Sequence, residues 1–299
     1  MATEAGHTPV LIHEVIQGLN IRSDGAYLDA TGGGGGHSQE ILDHLSKAGR
    51  LTICDYHEPS VARLKDRFAN LENVTVIHER FSRVFEIDEG PFDGILADFG
   101  ISSPQLEDKS IGIGFQQEGA PLDMRIDKRL QTTASDILKS YEEEALANLF
   151  YELGGERFSR KIAAAIVYDR NIGKFYETTE ALKGLCERVL GKHYRGAKIH
   201  PATKVFQALR IAVNGELKEV ADFLETAPAK LKIGGRLALI SFHEGEDRQV
   251  KTKFKELAQK GGFFLVTKKA LQPSDDELLA NPRSRSARLR VLEKREVVS

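Results

Sequence analysis

Acidic side chains and a run of glycines occupy spacings in this 299-residue chain that suit a ligand site. Asp29 ends a short apolar run and is soon followed by five consecutive glycines, Gly32 to Gly36. Asp55 ends a second apolar run about nineteen residues after the last glycine. A glycine turn between a strand and a helix lets backbone N–H groups approach a ligand, and an acid at the next strand end is typical of a nucleotide site. The spacing therefore predicts a nucleotide-cofactor site.

The glycine run departs from the pattern of dinucleotide sites. That pattern is G-x-G-x-x-G, and His37 stands here at the position of its third glycine. Asp29, just before the turn, would repel a pyrophosphate but attract the positive sulfonium of S-adenosylmethionine. The charge thus favours S-adenosylmethionine over NAD. A purely structural glycine turn at the start of an ordinary helix is the alternative.

The stretch that begins at Asp98 suggests the chemistry. Asp98-Phe99-Gly100-Ile101-Ser102-Ser103-Pro104-Gln105 is similar to the Asp-Pro-Pro-Tyr type of loop in enzymes that methylate exocyclic amines. Such an amine is a poor nucleophile because its lone pair is delocalised into the ring. A carboxylate that accepts hydrogen bonds from the amine favours the tetrahedral nitrogen that attacks a methyl group. Asp98 is therefore the candidate catalytic residue, with a turn or helix cap as the alternative.

Composition is typical of a globular protein. Hydrophobic residues make up 41% and charged residues 29% of the sequence, and the formal net charge is −2. No apolar run has membrane-spanning length, and we find no secretory signal pattern. Two cysteines, Cys54 and Cys186, offer neither a disulfide framework nor metal-ligand spacing. We therefore expect a cytoplasmic protein without a membrane segment or a bound metal.

Apolar runs alternate with helical patterns in both terminal parts of the chain. The predicted strands cover residues 26–31, 51–55, 73–78, 92–98, 235–242, 263–267 and 286–293. Strands that alternate with helices predict an α/β fold with a doubly wound, mostly parallel seven-stranded sheet. A first helix, from His7 to Ile16, is predicted with Thr8 as its cap and Pro9 at its first helical position.

The middle of the chain has a different pattern. From Gln105 to about Gly196, helical segments at 142–153, 156–170 and 178–190 replace the strands. Such a block between the fourth and fifth strands predicts an inserted, mostly α-helical domain. The predicted organisation is a cofactor-binding domain built from residues 1–104 and 201–299, with a substrate-recognition insert at 105–200.

Several longer strings carry a resemblance to a known family. They are His7-Thr8-Pro9-Val10-Leu11, Asp29-Ala30-Thr31 with His37-Ser38, Gly100 to Leu106, Pro121 to Arg125, Glu156-Arg157-Phe158, His200 to Thr203, Phe206 to Asn214, Ser241-Phe242-His243, Glu246-Asp247-Arg248 and Asn281-Pro282-Arg283. In this order they closely resemble the bacterial ribosomal RNA small-subunit methyltransferase H family over nearly the whole chain. The resemblance implies a class I, Rossmann-like methyltransferase that uses S-adenosylmethionine to methylate N4 of a cytidine in the decoding region. It implies small-subunit ribosomal RNA, or the small ribosomal subunit, as the partner, and leaves a homodimer open.

The resemblance also implies which residues form the cofactor pocket. These are Gly35, Gly36, His37, Asp55, Phe81, Asp98 and Gln105. Asp55 would hold the ribose and Phe81 would lie against the adenine. The family usually has phenylalanine where this chain has Gly32, which suggests either a looser turn or a gap against the sheet. It also differs at Tyr56-His57-Glu58 and at Glu244-Gly245.

Several basic residues are candidate contacts to RNA. Candidate phosphate contacts are Arg283, Arg285, Arg288, Lys198, Lys204 and Arg210, with a solvated basic surface as the alternative. His243 is a candidate contact to the target base, with a structural role as the alternative.

Three other functions remain as alternatives. They are an NAD-linked oxidoreductase, a catalytically idle RNA-binding or assembly protein on the same fold, and a methyltransferase for DNA or another amino acceptor.

Overall fold

The computed structural model describes residues 9–102, 105–106 and 108–297. Contacts between Cα atoms divide the chain into two compact units. The first unit consists of Met1–Ser103 and Leu217–Ser299, and the second is Pro104–Glu216. The second unit is thus inserted within the sequence of the first.

A seven-stranded sheet forms the centre of the first unit. Its strands are β1 Ala26–Asp29, β2 Arg50–Asp55, β3 Val74–His78, β4 Phe92–Asp98, β5 Leu231–Ser241, β6 Phe263–Leu265 and β7 Arg288–Lys294. Their order is β3-β2-β1-β4-β5-β7-β6. The first five strands pair in parallel, and β7 pairs antiparallel with both β5 and β6. The predicted doubly wound, mostly parallel sheet of seven strands is confirmed.

Helices accompany the strands of this unit in sequence. They are α1 Ile12–Leu19, α2 Gly36–Asp43, α3 Glu58–Arg67, and, after the insert, Glu216–Thr226, Glu244–Lys260 and Asp275–Ala280. Every residue of β1 is buried, as expected of a central parallel strand. Phenylalanine rings form part of the core, where Phe223 packs on Phe81 and Phe85 with centroid distances of 5.4 and 5.6 Å.

The first helix begins later than the sequence indicates. Its first residue is Ile12, and Leu11 before it has a left-handed backbone with φ 54°. Pro9 therefore lies outside the helix and is not in its first turn. The prediction of Pro9 at the first helical position was wrong, and the proposed cap Thr8 lies outside the described residues. Apolar spacing alone does not show where a chain turns into a helix.

The second unit is helical. After the short segment Gln105–Leu106, its helices are α4 Ala134–Ser140, α5 Glu143–Glu152, α6 Ser159–Asn171, α7 Thr179–Leu190 and α8 Thr203–Asn214. The helix at Ala134–Ser140 was not predicted, although a capping box between Thr133 and Asp136 marks its start. Three predicted helices of the insert match observed ones to within three residues at each end.

The boundary at the end of the insert differs from the predicted one. α8 was expected to belong to the sheet domain, which was predicted to resume at 201. Instead its apolar residues Val205, Phe206 and Leu209 join the hydrophobic core of the second unit. The unit consequently extends to Glu216. An amphipathic pattern shows that a helix has an apolar face but does not identify the core that buries this face.

Long apolar helices are absent from the described ranges. None of the helices there has both the length and the hydropathy needed to cross a membrane.

Candidate functional site

Three carboxylates stand at the carboxyl ends of neighbouring strands in the first unit. Asp29 ends β1, Asp55 ends β2, and Asp98 ends β4. β1 lies between β2 and β4 in the sheet and runs parallel to both. Because ligands of open α/β sheets bind beyond the carboxyl ends of the strands, this edge is the candidate functional site. The sequence predicted this convergence of acids.

The glycine turn after β1 has a shape that glycine permits. Gly33 and Gly35 have φ angles of +53° and +79°, which disfavour side chains. A Cβ atom on Gly32 would lie 2.5 Å from Cγ2 of Ile53 and 2.8 Å from Cδ1 of Leu64. The gap expected at Gly32 is therefore not present, because these two side chains fill the space.

The N-terminal segment packs against the start of α2. A Cβ atom on Gly36 would lie 2.3 Å from Cγ of Pro9. The Nε2 atom of His37 is 2.9 Å from the carbonyl oxygen of Val10, so Nε2 carries a proton and donates. His37 is thereby held in one orientation with its Nδ1 atom turned to the other side. The contact of Gly35, Gly36 and His37 with a cofactor stays a prediction.

Asp29 is buried beside the glycine turn. It is 1% exposed. Its Oδ2 accepts a hydrogen bond from the hydroxyl of Ser38 at 2.5 Å, and its Oδ1 accepts one from the backbone N–H of Thr31 at 3.2 Å. Burial raises the pKa of Asp29, and the neighbouring His37 opposes this shift. Asp29 thus orients the turn through its hydrogen bonds and presents no directly exposed ligand atom.

Asp55 holds the turn from the neighbouring strand. Its Oδ2 accepts from the backbone N–H of Gly33, and its Oδ1 from that of His57, both at 2.7 Å. Burial raises the pKa of Asp55 to about 6, although both hydrogen bonds lower it. Each carboxylate oxygen has a second lone pair, so hydroxyl groups of a ribose are chemically suited to it. The predicted ribose contact stays a prediction.

Asp98 is the most accessible of the three acids. Its side chain is 20% exposed. Its Oδ1 accepts from the backbone N–H of Gly100 at 3.1 Å, while Oδ2 lies 4.0 Å from Nδ1 of His37. The hydroxyl of Thr31 accepts from the backbone N–H of Asp98 at 2.7 Å. Burial raises the pKa of Asp98 to about 6, and His37 opposes the shift. Asp98 is therefore mostly ionised near neutral pH and can accept a hydrogen bond.

Glu246 is a further buried acid that reasoning from residue chemistry did not single out. It is 1% exposed and accepts from the backbone N–H groups of Phe242 and His243, at 2.8 and 3.3 Å. His243 caps the helix that starts at Glu244, and its Nε2 lies 3.1 Å from Oε1 of Glu246. A capping box at 243–246 was the available sequence signal. His243 thus has a structural role, and Glu244-Gly245 is the first turn of a regular helix.

The two remaining predicted pocket residues lie in different units. Phe81 is 8% exposed and packs against Phe99 and Phe223, with centroid distances of 5.5 and 5.4 Å. A ring held in this way can offer part of one surface to a ligand. Gln105 is buried and belongs to the second unit. The roles of Phe81 and Gln105 stay predictions.

A network beside Tyr56 was also not predicted. The guanidinium carbon of Arg80 lies 5.6 Å from the centroid of the Tyr56 ring, and Nε of Arg80 lies 2.7 Å from Oε1 of Glu219. The hydroxyl of Ser82 donates to Oε2 of Glu219 at 2.5 Å. Ion pairing thus orders the loop after β3. The sequence held no signal, because Glu219 is 139 positions away from Arg80.

Two glycines of the turn should tolerate a methyl group differently. We expect Gly32→Ala to lower the free energy of unfolding by about 1–3 kcal/mol, because its Cβ would overlap Ile53 and Leu64. Gly34→Ala is the matched control, because no atom lies within 4 Å of its added Cβ. Urea unfolding of both variants measures the difference. Equal stabilities would contradict the packing described for Gly32.

The stability contributed by Asp98 should depend on pH. The pKa of Asp98 is about 6 in the folded chain and is raised from 3.8, so folding favours its protonated form. This stabilisation is complete below about pH 4 and is lost as the pH rises through 6. Asp98→Asn remains neutral and keeps an acceptor for Gly100. Relative to this variant, the wild type should lose about 2 kcal/mol between pH 4 and 7.

Thermal or urea unfolding across this pH range measures that difference. Asp29 and Asp55 are present in both proteins, so their own titrations largely cancel. Parallel stability curves for the wild type and Asp98→Asn would show that burial does not perturb Asp98.

The sequence of this chain is similar to those of known proteins. A family model described as the MraW methylase family matches residues 4–295. Ribosomal RNA small subunit methyltransferase H of Gloeothece citriformis is 46% identical over 294 residues, which cover 97% of this chain and 94% of that protein. The protein of the same name from Clostridium botulinum is 40% identical over 310 residues, covering 97% of this chain and 99% of that protein.

Among solved structures, an rRNA methylase from Streptococcus thermophilus is 14% identical, with a TM-score of 0.44 over 97% of this chain and 100% of that chain. The family identified from the sequence strings is confirmed by the family model and by the curated relatives. The chain belongs to the MraW methylase family.

Proposed function

We propose that this protein transfers a methyl group from S-adenosylmethionine to the exocyclic N4 of a cytidine in small-subunit ribosomal RNA. The observation that carries the proposal is the group of three buried or half-buried acids around the glycine turn. Full-length relatives named as ribosomal RNA small subunit methyltransferase H support the class of substrate. The cytidine N4 and the decoding region rest on the resemblance and on the chemistry of Asp98.

The residues present suit a cationic nucleotide cofactor. Asp55 and Asp98 have pKa values of about 6, so both are mostly ionised near neutral pH and give this edge negative charge, and Nδ1 of His37 lies 4.0 Å from Oδ2 of Asp98. A sulfonium is attracted by such a potential, whereas a pyrophosphate is repelled. Asp55 would hold the ribose, and the glycine turn would approach the methionine part. The cofactor supplies an electrophilic methyl group on a sulfonium.

Asp98 would act on the acceptor amine. Its Oδ1 is held by the N–H of Gly100, which directs Oδ2 as the second acceptor. A hydrogen bond from the amine to Oδ2 would favour the tetrahedral nitrogen needed for in-line attack. As the new N–C bond forms and the S–C bond breaks, the nitrogen becomes positive and then loses a proton. The ionised Asp98 is suited to receive that proton and pass it to water.

The cysteines are not suited to a covalent route. Cys54 and Cys186 are both buried, and burial raises the pKa of each thiol. A thiol held in its neutral form is a weak nucleophile. Direct transfer without an enzyme-bound intermediate is therefore the proposed mechanism. The proposed compartment is the cytoplasm, where small-subunit ribosomal RNA or the small ribosomal subunit would be the partner.

The proposal is tested in cells. Small-subunit ribosomal RNA from cells that lack the protein should have lost one methyl group on a cytidine amine, and the purified protein should restore it with S-adenosylmethionine. Mass spectrometry of nuclease digests measures both. An unchanged RNA would contradict the proposal. If the missing methyl group is instead on DNA or on another amine, that molecule is the acceptor of the methyl transfer.

The role of Asp98 has its own test. We expect Asp98→Ala to lower kcat for methyl transfer by about a hundredfold or more, because the acceptor amine loses its hydrogen-bond partner. Calorimetry should show that S-adenosylmethionine still binds, with less than about tenfold loss of affinity. Full activity of this variant would remove Asp98 from the mechanism. Binding of NAD without S-adenosylmethionine by the wild type would contradict the cofactor.

A further inference from the structure

Seven lysines and arginines of the second unit, fewer than half of its seventeen, are neutralised by carboxylates among the described residues. Their partners lie within 2.5–3.5 Å in the pairs Arg125–Asp123, Lys128–Asp123, Arg129–Asp127, Lys139–Glu177, Lys174–Asp169, Arg188–Asp169 and Arg210–Glu216. Lys204, another predicted RNA contact, donates to the carbonyl of Gly155 at 2.9 Å. Arg210 is thus neutralised within the unit, and Lys204 is held there by a carbonyl oxygen.

A group of exposed cations near the start of α6 and the end of α7 has no such partner among the described residues. Arg157, Lys161, Lys192 and Arg195 are exposed, and none has a carboxylate oxygen within ion-pair distance in the part of the chain that the structure describes. Together with His193 they are called the basic cluster. Like charges left together in one region cost free energy unless an anion compensates them.

Direct contacts bring part of the basic cluster together from two elements. Lys161 lies in the first turn of α6, and His193 lies in the short helix Gly191–His193 after α7. The Nζ atom of Lys161 is 3.2 Å from Nε2 of His193. The ring of Phe158 stacks on that of His193 with a centroid distance of 4.0 Å and an angle of 21°. The start of α6 and the turn after α7 are therefore held together.

The nearest acid in sequence is occupied by internal hydrogen bonds. Glu156 is fully buried and accepts from the backbone N–H of Phe158 and from the hydroxyl of Tyr194. Partial desolvation and the ammonium groups of Lys161 and Lys192 lower the pKa of His193, which indicates a positive local potential. Glu156 thus shapes the turn without neutralising the exposed cations.

We propose that the basic cluster binds the sugar–phosphate backbone of the ribosomal RNA substrate. This inference rests on the proposed function and adds the surface that grips the RNA outside the methyl-transfer site. Each Lys–phosphate contact releases a counterion, so binding depends strongly on salt. The cations come from the start of α6 with the residues before it and from the segment after α7, and the contact between Lys161 and His193 joins these two parts. Base identity would be read elsewhere, because phosphate contacts position an RNA without specifying its sequence.

The double variant Lys161→Ala/Lys192→Ala tests the proposal in the full-length protein. The probe is small-subunit ribosomal RNA transcribed in vitro, bound at KCl concentrations between about 50 and 300 mM. We expect Kd to rise about 20- to 60-fold near 100 mM salt, and the slope of log K against log salt to fall by about 1.5. The variant Lys161→Arg/Lys192→Arg should bind as the wild type does.

Lys183→Ala is the matched control. Lys183 lies on α7, nine positions before Lys192, or about 13 Å along a helix, and it has no ion-pair partner within the described ranges. Its loss should change Kd by less than about twofold. An equal loss of RNA affinity in the control would show that only the total charge of the protein matters, and it would overturn the proposal. Unchanged binding by the double alanine variant would also overturn it, with an acidic protein surface as the partner to test next.

Methyl transfer separates this inference from the proposed function. The double alanine variant should show a raised KM for RNA with an unchanged kcat at saturating RNA. If the wild type methylates RNA and the double variant binds and methylates equally well, the inference fails and the proposed function stands. If the wild type binds RNA through the basic cluster but transfers no methyl group, the proposed function fails and the RNA-binding surface stands.

Discussion

The candidate site depends on carboxylates that are buried at the end of a parallel sheet and held by backbone N–H groups. Asp29 accepts from Thr31, Asp55 from Gly33 and His57, and Asp98 from Gly100. These hydrogen bonds compensate part of the cost of burying charge, but the pKa values of all three acids remain raised. With pKa values of about 6, Asp55 and Asp98 are mostly ionised near neutral pH, so the site carries negative charge there. A cationic ligand would relieve it.

The glycine turn allows these hydrogen bonds to form. The left-handed backbone of Gly33 presents its N–H to Asp55, and that of Gly35 leads into the helix that begins at Gly36. Ile53 and Leu64 close the space behind Gly32. The turn is consequently fixed by contacts on both sides, and its conformation does not rely on a bound ligand. Such preorganisation lowers the entropic cost of binding.

Charge is arranged differently in the two units. Around the sheet edge, negative groups outnumber their cationic neighbours, and in the basic cluster of the insert the reverse holds. The net charge of the whole chain is only −2, so composition conceals both fields. A positively charged cofactor and a polyanionic substrate need fields of opposite sign. Because the negative field and the positive field lie in different units, one chain can offer both fields.

The sequence by itself determined the sheet, the acids at its strand ends and the family. The period of hydrophobic residues, the apolar runs and the glycine spacing are local properties. Each of them directly predicts a strand, a turn or a helix. Helix starts were less well predicted, as Pro9 shows, because the left-handed residue Leu11 has no distinctive local signal. The helix at Ala134–Ser140 was missed although its capping box was readable.

Only the tertiary structure decided which groups meet. It showed that Asp29 faces inward to Ser38, that His243 caps a helix, and that α8 belongs to the core of the insert. It also showed that Arg210 is paired with Glu216 whereas Lys161 has no carboxylate partner among the described residues. The sequence pattern gives the type of each residue and the face of the helix or strand on which it lies. Burial and pairing depend on distant parts of the chain, which only folding brings together.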